Sequence, residues 1–304
     1  MMLSTTAIGM CCAGILVCVS GLWSAKAEIA AARSIEKVVA LHRVCFATPL
    51  AVFGALHLFA PEFILPLVPK VMPFPIVWVY GIGCALLAAA LSIATGRVVR
   101  WSGFLFGLMM VLFVLILFVP GALRHPGDRM GWTFVCRESS FGGAAWMLAS
   151  AAAGSWPANT RRVLLGVGRA LVLPALLLFG VEQILHPTLL PGVPLQKEMP
   201  EWVPARVLID YVTGAALLVT GGSVLLKRNT RVVAGWVGAW LLLLVLVIYG
   251  PVMILALGRP EMGVQVEGIN YFADTLLFAG VVLTLATAEK ELVVPSSTGA
   301  TSPR

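Results

Sequence analysis

The chain has 304 residues, of which 60% are hydrophobic and only 12% charged, about half the charged share of a soluble domain. A surface so poor in charge cannot face water all round. That excludes an ordinary soluble globular protein and predicts an all-α integral membrane protein, with the lipid bilayer as its main partner. The net charge of +7 then reads as the loop Lys and Arg of a membrane protein, and no nucleic-acid partner is expected.

A helix that spans a bilayer takes roughly 17–25 mostly apolar residues. Nine stretches fit: 7–23, 44–60, 76–95, 101–123, 139–156, 163–185, 207–226, 232–257 and 270–288. The first is followed by Ala25-Lys26-Ala27, which fits a small-residue cleavage site, but no Lys or Arg precedes it as a signal peptide requires. It is predicted to stay as a helix with its N-terminus outside, so that 1–42 forms an N-terminal transmembrane helix and a cytoplasmic linker. The second span ends in FGALHLFAPEFILPLVP. The spans at 101–123 and 232–257 are the most apolar. The one at 139–156 is the weakest and is rich in Gly, Ala and Ser, residues that let helices approach closely inside a bundle. Residues 289–304 are predicted to form a disordered tail, on the composition of PSSTGATSPR.

The chain repeats itself. FGVEQILHPTLLPGVP at 179–194 echoes the phrase at 53–69, with Pro187 answering Pro61 at an offset of 126, and Pro191 and Pro194 answering Pro66 and Pro69 at 125. With an offset of 131, Tyr80 meets Tyr211, Gly83 meets Gly214, Arg97 meets Arg228, Arg100 meets Arg231, Gly107 meets Gly238 and Pro120 meets Pro251. The offset grows in the loop after the prolines, where the second copy inserts QKEMPEW. This predicts two tandem four-helix transmembrane bundles, 43–156 and 163–288, behind the N-terminal helix. An even number of helices per unit gives both the same orientation, related by an axis along the membrane normal. Of the Lys and Arg, 14 fall on one predicted side and 7 on the other, and the richer side, which holds the C-terminus, is predicted to be cytoplasmic.

Arg43, Phe53-Gly54-x-x-His57, Pro61, Pro66, Pro69, Met72-Pro73-x-Pro75, Tyr80-x-x-Gly83 and the basic turn at Arg97 and Arg100 resemble the DoxX family of small four-helix membrane proteins. The second copy keeps Arg169, Phe179-Gly180, Pro187, Tyr211 and Gly214, with Gln183 in the place of His57. Leu86 and Leu217 stand where related sequences often carry a glutamate. The resemblance implies a bacterial inner-membrane protein, a membrane subunit or anchor of a quinone-linked oxidoreductase system, with quinone as the cofactor and a soluble or membrane-bound redox partner.

The residues themselves carry little catalytic chemistry. The six cysteines form no Cys-x-x-Cys, the four histidines have no ligand spacing and no phosphate-binding loop is present. No metal site and no intramolecular disulfide are expected. The informative groups are ionisable or polar residues near the hydrocarbon: Glu182, Gln183, Asp210 and Asp274, with Asn270 one turn before Asp274 and His57 at the place of Gln183. Either they are helix-end groups that reach out to the headgroups, or they build an outward-facing polar pocket for a quinone headgroup or small solute. In the pocket reading, three mutually repelling acids keep at least one neutral, and the first unit serves mainly as a scaffold. A small-solute transporter or channel and a non-catalytic membrane assembly protein stand as the alternative functions.

Overall fold

The computed structural model describes residues 3–288. They are all-helical, without a β-strand among them. The helices are α1 (Thr5–Ala31), α2 (Glu36–Val39), α3 (His42–Phe59), α4 (Pro75–Thr95), α5 (Val99–Phe113), α6 (Val119–Arg124), α7 (Arg129–Ala152), α8 (Ala158–Leu185), α9 (Arg206–Leu225), α10 (Thr230–Leu244), α11 (Gly250–Leu257) and α12 (Met262–Ala288). Eight helical stretches are long and apolar enough to cross a membrane, with α2–α3, α5–α6 and α10–α11 each acting as one. The protein is therefore a multi-pass membrane protein.

The ninth expected span needs correction. The helix there is α7, which begins at Arg129 rather than at 139 and carries Arg137 and Glu138 within it. Those charges, with its Ser and Gly, leave it outside the set of eight. It is shielded by protein instead, packed between α5 and α8 and against α12. α12 likewise begins eight residues before the expected 270. The tail at 289–304 lies outside the described residues.

Two helices form the centre. In α3, 78% of the most apolar window is buried, and in α12 83%, against 28–44% in the six others that qualify. They cross at Gly280, where a Cβ would come 2.7 Å from the Phe46 backbone nitrogen. α1 lies along α3 through a stripe of Met10, Gly14, Val17, Gly21 and Ala25, at a spacing of three or four residues that keeps one helix face. Its first turn is tied to the rest by Ser4 N donating to Gln265 Oε1 (3.0 Å) and Thr6 Oγ1 donating to the Phe59 carbonyl (3.3 Å).

Local features recur along the chain. Proline lacks the N–H needed for the helical ladder. Just before Pro120 and Pro251 the ladder widens into π turns, at Val114–Phe118 and Val245–Tyr249. Left-handed residues precede matching helices at Phe74 and Ala205, and at Val98 and Asn229. A Cβ on Gly54 would come 3.0 Å from the Gly83 carbonyl oxygen, and one on Gly180 2.9 Å from that of Gly214. The glycine pairs thus bring α3 onto α4 and α8 onto α9 at backbone distance.

The bundle has two unlike ends. At one, the connections are short: 96–98, 153–157 and 226–229. Of the described Lys and Arg, twelve lie in this half, with only Glu28 and Glu36 as acids. At the other end lie the long loops 60–74 and 186–205, seven basic residues and ten acidic ones. The polar residues singled out from the sequence all belong to this second half.

Candidate functional site

The two long loops differ in kind. In the first, Leu67, Val71 and Phe74 are 58%, 90% and 76% exposed. The second turns back into the bundle, and Leu190, Val193, Met199 and Val203 are buried. Irregular backbone at membrane depth must have its polar groups satisfied by protein, and here side chains of the helices do so. Arg129 Nη1 donates to the Pro194 carbonyl (2.6 Å) and Nη2 to that of Leu195 (3.2 Å). Tyr249 donates its hydroxyl to the Pro191 carbonyl (2.7 Å), Gln183 Nε2 reaches that of Leu190 (3.5 Å), and Arg206 that of Met199 (3.2 Å). Within the loop, Leu190 N bonds Lys197 O and Met199 N bonds Thr188 O. At the tip stands Gly192 with φ +109, where a Cβ would meet Thr275 at 3.2 Å and Leu241 at 3.4 Å.

All three acids turn inward. Glu182 is 8% exposed, Asp210 0% and Asp274 7%, so they are not reaching for headgroups. Two are neutralised from α7: Arg129 meets Glu182 at 3.2 Å and Arg137 meets Asp274 at 3.0 Å. Arg137 also meets Glu138 at 2.6 Å. The expectation of three repelling carboxylates is thereby replaced by two ion pairs and one acid by itself. Neither oxygen of Asp210 has a hydrogen-bond partner. Thr213 stands one turn further along α9, Gln183 of α8 lies against Gly214 of the same helix, and Tyr249 lies within electrostatic reach of Asp210 and Asp274. The π turn ending at Tyr249 holds this ring inside, where it is fully buried.

A cleft of about 290 Å³ opens between the loops, α7 and α12. Phe63, Met130, Phe134, Leu195 and Tyr271 form its apolar and aromatic walls, and Asn270 and Asp274 its polar part. The Asn270 side-chain oxygen is buried without a partner. No group of three or more His, Cys, Asp and Glu side chains fit to hold a metal occurs among the described residues.

No family model, no curated protein and no solved structure matches this chain.

Of the residues predicted from the sequence, Glu182, Gln183, Asp210 and Asp274 are all buried at the long-loop end of the bundle, and Tyr249 lies within electrostatic reach of both Asp210 and Asp274. His57 is not with them. It sits on α3 with Nδ1 2.7 Å from the Phe53 carbonyl and backs onto Gly83 of α4. Asp274 lies twelve residues into α12, roughly 18 Å from its start at 1.5 Å per residue, rather than one turn in. The range 43–156 contributes to this end through α7, which supplies Arg129, Arg137 and Glu138. In the sequence these three fall between the expected spans at 101–123 and 139–156. The signal that could have found them is the need of Glu182 and Asp274 for cations once buried. Tyr249 was missed because its place in the helix depends on the π turn before Pro251.

Proposed function

We propose that the chain is a tandem duplication of a DoxX-like four-helix unit, 43–156 and 163–288, behind one N-terminal helix in a bacterial inner membrane. It serves as a quinone-holding membrane subunit or anchor of an oxidoreductase system. The repeated π turns, left-handed residues and glycine contacts support the duplication. The observation that carries the function is the cleft at Asn270. A quinone headgroup is a flat ring with two carbonyls, and it needs apolar walls, aromatic faces and a few hydrogen-bonding groups. The cleft offers Phe63, Phe134 and Tyr271 as walls, and the Asn270 amide and the Tyr271 hydroxyl as groups that can meet a carbonyl. The adjoining Arg137–Asp274 pair holds charge where an electron-accepting ring would gain it.

The test is to extract the purified protein with organic solvent, analyse the extract for quinone, and titrate a short-chain quinone analogue into the extracted protein. Saturable binding is expected, weakened about tenfold by Asn270→Leu, since a lost hydrogen bond of about 1.4 kcal/mol is a factor of ten. Absence of both bound quinone and saturable binding would sink the reading. A carrier of a small solute is the second reading, favoured by the ionisable Asp210 inside a span, and flux into liposomes tests it.

The cleft is expected to face away from the cytoplasm, because the basic half of the bundle marks the cytoplasmic side. Alkaline phosphatase is active only outside the cytoplasm. Fused behind Arg304 it should be inactive, and fused at Gln196 active. The reverse pattern would invert the topology.

A further inference from the structure

We infer that Asp210 and Gln183 form the core of a binding site for a small monovalent cation, enclosed by the loop 186–205. The inference is independent of the quinone reading and concerns the contact of α8 with α9 rather than the cleft.

The packing of α8 on α9 places the two side chains. The helices meet at Gly180 and Gly214. One turn beyond that contact, toward the long-loop end, stand Gln183 and Ile184 on α8, and Asp210 and Tyr211 on α9. Ile184 and Tyr211 are 40% and 45% exposed and face out, while Gln183 and Asp210 are both fully buried and face in. A Cβ on Gly214 would come 3.2 Å from that of Gln183, so the glutamine lies over the turn that leads to Asp210.

Three oxygens there lack partners: both carboxylate oxygens of Asp210 and Oε1 of Gln183. All three are acceptors. The amide of Gln183 is oriented by its Nε2, which reaches the Leu190 carbonyl, so its oxygen cannot be exchanged for a donor without setting two oxygens against each other. The hydroxyl of Tyr249 is spent on Pro191, that of Thr213 on Ile209, and the Trp240 N–H on Thr213. No donor of Tyr249, Thr213 or Trp240 is left for Asp210. A buried ionised carboxylate without partners is costly by several kcal/mol, and buried acceptors are rarely left unsatisfied. A positive ion bound among these oxygens removes the deficit at once.

The charge balance sets the class of ion. Glu182 is held by Arg129 and Asp274 by Arg137, and Arg206, one turn before Asp210, points to the Met199 carbonyl. Glu138 shares Arg137 with Asp274, so four acids stand against the three guanidiniums of Arg129, Arg137 and Arg206, one negative charge is left over, and Asp210 is the acid of the four without a cation at ion-pair distance. A single positive charge neutralises it, whereas a divalent ion would leave an excess in a dry interior. Hard oxygen donors from a carboxylate, an amide and nearby loop carbonyls are those that hold sodium in broken-helix membrane sites. The counterpart positions by the repeat offset, Val79 and His57, offer no such set.

The experiment is thermal unfolding of the full chain in detergent, titrated with NaCl against choline chloride at constant ionic strength and at several pH values. A sodium-specific rise in Tm of roughly 5 °C at saturation is expected, lost in Asp210→Asn. The sodium needed for half the effect should rise about tenfold or more in Gln183→Met, which decides the matter if the first variant does not fold. Equal effects of sodium and choline, or a sodium effect kept in Asp210→Asn, would overturn the site. So would stabilisation that follows falling pH alone, which would make Asp210 a carrier of a proton instead.

Discussion

Arg137→Ala is expected to destabilise the protein by about 3–5 kcal/mol, the usual result of removing one partner from a buried ion pair. Arg137 holds Asp274 at 3.0 Å and Glu138 at 2.6 Å, and all three side chains are at most 14% exposed. Without the guanidinium two carboxylates remain side by side in a place that water hardly reaches. The loss should appear as a large fall in Tm and in monodisperse yield in detergent. A charge-free replacement should do much better. The double variant Arg137→Met with Asp274→Asn leaves only Glu138 unpaired and should recover more than half of the loss. A single variant within 2 °C of the parent would show that the pair contributes little to stability, and that α7 is held by packing alone.

Gly192→Val is expected to unseat the loop 186–205 while leaving the helices in place. The backbone there has φ +109, a region in which a residue with a Cβ is strained by about 1–3 kcal/mol. A Cβ would also press on Thr275 at 3.2 Å and Leu241 at 3.4 Å, and the branched valine would add to both contacts. The loop is held by hydrogen bonds from Arg129, Tyr249, Gln183 and Arg206 and by burial of Leu190, Val193, Met199 and Val203, so a strain of that size is expected to raise the population of an open form. Cysteine placed at Leu190, which is 1% exposed, reports on it in a chain whose six cysteines have been replaced. A membrane-impermeant maleimide should label it slowly in the parent and at least ~10-fold faster in Gly192→Val. Equal rates would mean that the glycine does not control closure.

These expectations rest on unequal shares of sequence and structure. The spans were legible because a bilayer demands long apolar runs, and the helices α4, α9 and α10–α11 match the expected stretches to within two residues. The repeat was legible because Tyr, Gly, Arg and Pro matches are rare against a background of Leu and Val. α7 was not legible at its start. The stretch Arg129–Glu138 looks like a loop until the partners of its charges are known, and Glu182 and Asp274 lie 53 and 137 residues away from Arg129 and Arg137.

The facing of the acids shows the same division. Apolar periodicity reveals which side of a helix is inside only when the other side is polar. Lipid is as apolar as a protein core, so the pattern around Asp210 reads alike for inward and outward placement. Composition by itself determined that this chain lives in a membrane, where most of its spanning helices run and which polar groups lie within or beside them. Only the tertiary structure decided that Asp210 and Gln183 are buried with unpartnered oxygens, that Arg129 and Arg137 neutralise Glu182 and Asp274, and that the loop at Gly192 folds inward. The reason is physical: each of those facts depends on contacts between helices far apart in the chain, and no local periodicity encodes them.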